Sequence, residues 1–181
     1  MTDPFDDIFA AEPTQAGTVA AADQSPRDIA AAAVANSLET SAFLLAEPAI
    51  LDPADEQIDT AAEHLRISLT FGGPAAGTLC VSAPLDLGQL LATNMLGCDG
   101  DASTSFARDA LRELVNVAAG AMMPDLVRCV APDVGDSADC PLELPRLQSI
   151  TVDQFAQACR QQGSTLFDVE GKLLAVAITL A

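Results

Sequence analysis

The chain has 181 residues, half of them hydrophobic, with seven Phe and no Trp or Tyr. That length suits one domain whose core is packed mainly by Ala, Leu and Val. Its formal charge of −18, from 26 acids and 8 bases, argues against a nucleic-acid surface, which needs clustered Lys and Arg, and against anionic membranes.

Residues 1–25 are rich in Ala, Asp, Thr, Gln and Gly and read as a flexible acidic tail. Within it Phe5, Ile8 and Phe9 have helical spacing behind Thr2-Asp3-Pro4. They form either a short docking helix or incidental apolar residues in a solvated segment. The N-terminus has no basic region of the kind that opens a secretion signal. The apolar runs at 29–35 and 173–181 are too short to span a bilayer. These features predict a soluble, cytoplasmic protein.

Residues 26–181 form the expected domain. Ser25-Pro26-Arg27-Asp28 joins a capping residue, a proline for the first helical position and an acid for the first turn, which predicts a helix over 26–46. Pro48 and Pro53 then break the chain. Polar and apolar residues alternate over 66–71, a turn follows at Gly72-Gly73-Pro74, and a second strand covers 77–82, so the pair reads as a hairpin. A helix over 86–96 closes at Gly97. Another runs over 104–123, with Ser103 and Ser105 as caps. Residues 124–150 hold four prolines and read as loop with one or two short strands. Thr151-Val152-Asp153-Gln154 fits a capping box for a helix to about 162. Strands over 164–169 and 173–180 flank a turn at Glu170-Gly171-Lys172. Helices and hairpins in this order predict an α+β domain, a largely antiparallel sheet packed with long helices.

The five cysteines include no C-x-x-C pair, and no Cys stands near His64, the one histidine. They read as buried free thiols rather than a disulfide framework or a zinc site. No Walker-type loop and no G-x-S-x-G motif is present.

The helix over 104–123 carries the chemistry. At about 100° per residue, Leu111, Leu114, Val115, Ala118 and Met122 form one apolar stripe that must face the core. Asp109, Glu113, Asn116, Val117 and Gly120 lie opposite. Asn and Gly are poor helix formers, and a merely solvated face would favour Glu, Lys, Gln or Arg. Glu113 and Asn116 stand three apart, so a fixed anion and a neutral donor-acceptor leave the same face. By spacing alone such a pair also occurs on ordinary solvated helices.

The longer string Asp109-Ala110-Leu111-Arg112-Glu113-Leu114-Val115-Asn116-Val117-Ala118-Ala119-Gly120 resembles the E-x-x-N signature helix of the CheC/CheX/FliY chemotaxis phosphatases. Phe71-Gly72-Gly73-Pro74-Ala75-Ala76-Gly77 and Leu79-Cys80-Val81 are similar to that family's central hairpin. Leu90 to Gly97 resembles the helix before the signature, and the closing hairpin also agrees. The resemblance covers residues 26–181 in the family's order. With one E-x-x-N copy the chain looks like the CheX type, which implies a homodimer. The resemblance further implies a phosphatase for a phosphorylated CheY-like receiver domain in chemotaxis or related two-component signalling. Glu113 and Asn116 would be its catalytic residues, with Asp109, Val117 and Gly120 in the contact. It implies no cofactor in this chain, with Mg²⁺ held by the receiver. Three departures stand out: Arg112 where relatives usually carry a small residue, Ala121 where many carry Asn, and the additional acidic tail. The rival expectations are a non-catalytic receiver-binding or flagellar-switch module of the same fold, and a structural protein of a larger assembly.

Overall fold

The computed structural model describes residues 24–50, 58–97, 100, 102–134 and 139–181. The tail and its Phe5, Ile8 and Phe9 lie outside these. The elements are α1 (Pro26–Ala42), β1 (Glu47–Pro48), β2 (His64–Phe71), β3 (Gly77–Pro84), α2 (Leu85–Leu96), α3 (Thr104–Val130), β4 (Arg146–Ile150), α4 (Val152–Arg160), β5 (Thr165–Val169) and β6 (Lys172–Leu180).

The six strands form one antiparallel sheet in the order β1-β5-β6-β3-β2-β4. Strand alternation sends side chains to two faces. Leu65, Ile67, Leu69 and Phe71 of β2 register with Ala83, Val81, Leu79 and Gly77 of β3. All of these but Gly77 share the main core with α1, α2 and α3. Leu166, Leu173 and Ala175 point to the opposite face and form a smaller core with Ile150, Phe155, Ala158 and Cys159. That second core lies under α4. The α+β expectation holds, and the sheet is antiparallel throughout.

Local sequence explains most element ends. Ser25 caps α1 through a reciprocal box with Asp28, and Thr151 does the same for α4 with Gln154. The turn between β5 and β6 is Glu170-Gly171, both at positive φ (53° and 76°), the arrangement that matches the twist of a two-residue hairpin.

Several boundaries differ from the sequence reading. α1 stops at Ala42, not 46, because Phe43 turns left-handed at φ 55° and its N–H closes on the Glu39 carbonyl. That turn lets Leu44 enter the core. The two-residue β1 pairs with Phe167 and Asp168 on β5, a strand too short to show periodicity. Both β2 and β3 extend two residues beyond the expected hairpin, to His64 and Pro84. Ser105 lies inside α3, and Ser103 alone caps it, accepting from the Phe106 N–H.

The largest correction is at Pro124, expected to end a helix and instead inside α3. A helix-interior proline costs about 3 kcal/mol. Leu126 and Val127, just beyond it, are buried in the main core, and each contributes roughly 1.5–3 kcal/mol. Tertiary burial offsets the local penalty. The expected loop over 124–150 therefore begins only after Val130 and yields β4 as its strand among the described residues.

Candidate functional site

α3 is 27 residues long and packs against α1, α2 and β2. Its buried side includes the whole predicted stripe: Leu111, Leu114, Val115, Ala118 and Met122. Its solvent side includes Asp109, Glu113, Asn116, Val117 and Gly120, all exposed. The structure therefore brings all five predicted site residues onto one open helical face. The open face extends beyond these five residues, to Phe106 at one end and Pro124 at the other, both exposed.

The charges on this face are not equivalent. Asp109 is ion-paired to Arg112 at 2.8 Å. Arg108, a turn earlier, pairs with Glu63 at 2.6 Å. The Ser149 hydroxyl donates to the same Glu63 oxygen at 2.8 Å. The Ser149 hydroxyl first, and the Arg108 guanidinium with it, hold the Glu63 carboxyl below its usual value. This cluster ties the start of α3 to the residue before β2 and to β4. Glu113 and Asn116 take part in no hydrogen bond or ion pair among the described residues. An exposed carboxylate and an exposed carboxamide thus stand side by side with their bonding capacity unused by any described residue.

The two glycines that matter differ in cause. Gly88 on α2 is required by this chain's own packing. A Cβ there would lie 2.8 Å from Leu111 Cδ1 and 2.9 Å from the Ala107 carbonyl oxygen. At Gly120 a Cβ would meet nothing within 4 Å. The fold itself does not need a glycine there, although glycine costs a helix about 1 kcal/mol relative to Ala.

The close approach at Gly88 sets α2 tightly against α3. Where the helices continue past it, a groove of about 280 Å³ opens, lined by Ala92, Met95, Leu96, Phe106, Ala110, Asp109 and Glu113. Sequence reasoning missed this groove. The available signal was Phe106, which falls on the exposed side of α3 in register with Glu113. A second cavity, of about 190 Å³, contains His64, Phe155 and the ion-paired Asp86 and Lys172. None of the predicted site residues lines it.

Among the described residues, no three His, Cys, Asp or Glu side chains converge as metal ligands. Cys80, Cys129, Cys140 and Cys159 are free thiols. Burial pushes the Cys159 thiol up to about 11, so it is unreactive near neutrality. Cys98 lies outside the described residues. Among those residues no helix is long and apolar enough to cross a membrane.

No protein-family model matches the sequence, and no curated protein matches it. Solved structures do. A CheX chemotaxis protein from Desulfovibrio desulfuricans matches with a TM-score of 0.57 at 16% identity, over 84% of this chain and 97% of that one. CheX from Vibrio vulnificus matches at 0.54 and 16% identity, over 86% and 100%. A CheX from Borrelia burgdorferi, solved in complex with CheY, BeF3 and Mg, matches at 0.55 and 12% identity, over 84% and 96%. The class is thereby defined: an α+β domain with the CheC/CheX fold. Within that fold this chain carries one Glu-x-x-Asn pair, Glu113 and Asn116, on the open face of its longest helix.

Proposed function

We propose that this protein is a CheX-type phosphatase that removes phosphate from the aspartyl phosphate of a CheY-like receiver domain. One observation carries the reading: Glu113 and Asn116 are exposed on one face of α3 and unpartnered among the described residues, while Asp109 and Glu63 nearby are neutralised by arginines. The CheX–CheY complex among the matching structures supports the choice of partner.

In this mechanism Asn116 enters the receiver's phosphate site. Its carboxamide oxygen accepts from a water, holding that water in line with the phosphorus. The water oxygen forms the new bond to phosphorus as the bond to the aspartate oxygen breaks. Inorganic phosphate leaves, and the receiver's carboxylate is restored. Catalysis is by positioning, so the receiver and its own Mg²⁺ handle the charge on the transferring group. Glu113 pairs with a lysine of the receiver site. That pair is partly desolvated on docking and so outweighs a surface ion pair. A homodimer goes with the reading, carried by the resemblance to CheX-type proteins.

The test is phosphate release from phosphorylated receiver domains encoded alongside this protein, with binding measured on the beryllofluoride forms. Asn116→Ala should lower turnover by roughly 100-fold or more with docking preserved. Glu113→Ala should weaken docking. If wild type docks a receiver yet releases phosphate no faster than receiver alone, the chain is a binding module. If it docks none, the receiver reading is wrong.

A further inference from the structure

The groove between the end of α2 and the first half of α3 is open and apolar. Met95, Leu96 and Phe106 on its walls are 37%, 56% and 55% exposed. On a chain of net charge −18, three large exposed apolar side chains around one concavity are a costly arrangement unless something covers them.

Two features select the occupant. Glu113 is itself part of the groove lining, so a partner that engages Glu113 also reaches the groove. The charge at the rim is acidic: Asp109 is balanced by Arg112, and Glu113 is balanced by no residue among those described. This chain's own N-terminal segment is a poor fit, because its Phe5, Ile8 and Phe9 stand among Asp3, Asp6 and Asp7. A second copy would bring the same acidic rim against itself. A receiver offering an apolar side chain beside a basic residue complements both wall and rim.

We infer that Met95, Leu96 and Phe106 form the selectivity half of the receiver-docking surface, accepting an apolar side chain of the receiver next to the cation that Glu113 engages. The inference rests on the receiver reading proposed above. In this division of labour Asn116 sets turnover, and the groove sets which receiver is held.

The test compares wild type, the double variant Leu96→Ser/Phe106→Ser, and Asn116→Ala on the same phosphorylated receivers. Both groove positions are more than half exposed, and a thermal melt confirms that the double variant folds. The expected result is a KM, and a Kd for the beryllofluoride receiver, raised about tenfold or more with kcat unchanged. Asn116→Ala should show the converse. If wild type acts on a receiver and the double variant keeps the same KM, the groove inference alone is overturned. If wild type neither binds nor dephosphorylates any receiver, both readings fall. Two further outcomes overturn the receiver as occupant. In one, removal of residues 1–23 lowers KM and abolishes the effect of the double variant, which makes the tail the occupant. In the other, the double variant lowers the solution mass, which makes a second copy the occupant.

Discussion

Pro124 stands four residues after Gly120 in α3, and both are exposed on the face that carries Glu113 and Asn116. Proline has no N–H, so the Gly120 carbonyl receives no bond from the position that would normally satisfy it. One turn beyond Asn116, the helix thus presents a backbone without a side chain and a carbonyl without its usual helical donor. Both features suit a partner that comes close to the backbone at this point.

Gly120→Ala separates folding from docking. A Cβ at 120 has open space around it, so the variant should be more stable by up to about 1 kcal/mol. The same methyl group should weaken receiver docking, read as a raised Kd for the beryllofluoride form. A melting temperature that falls, or docking that stays unchanged, contradicts this account of Gly120.

Gly88→Ala should act in the opposite sense. The new methyl would press on Leu111 Cδ1, which can move, and on the Ala107 carbonyl, which is fixed in α3. Overpacking of this kind costs roughly 1–3 kcal/mol, more than the helix propensity gained. Denaturant unfolding should show the loss. Because α2 must shift away from α3, docking should weaken too, although position 88 lies outside the groove lining.

Acidification should destabilise the domain from near neutrality downward. His64 is buried and stacked on Phe155 with ring centroids 4.3 Å apart. Burial lowers its pKa from the usual 6.5, against the opposing pull of Asp59 and Asp86. Between the folded value and 6.5 the unfolded chain binds more protons, so this contribution is complete above about 6.5 and is lost as pH falls below it. Glu63, also lowered, acts in the same direction at more acid pH: its stabilisation is present above its ordinary value and lost as pH falls toward the folded one. The chain has a single histidine, so one imidazole signal can be followed by NMR. A folded-state titration at or above 6.5 contradicts the assignment.

Much of the site was legible because helical geometry is local. Once Leu111, Leu114, Val115, Ala118 and Met122 are placed inward, the fixed rotation per residue puts Glu113, Asn116 and Gly120 outward with no further information. Capping residues marked the starts of α1, α3 and α4 for the same reason, since a cap bonds only a few residues away. Short-range rules failed where a distant contact outweighed a local preference. The helix ran through Pro124 because Leu126 and Val127 had a core to enter. It stopped early at Phe43 because Leu44 did.

The amino-acid sequence by itself therefore pointed to an antiparallel α+β architecture, through its hairpin turns and the order of its elements, and to the outward pairing of Glu113 with Asn116, through the 3.6-residue period of one helix. Tertiary structure alone decided which carboxylates are already neutralised and where the groove lies. Glu63 meets Arg108, and Met95 and Leu96 come to line one groove with Phe106, only after α2, α3 and β2 have packed. No local rule specifies the distance between side chains on separate elements.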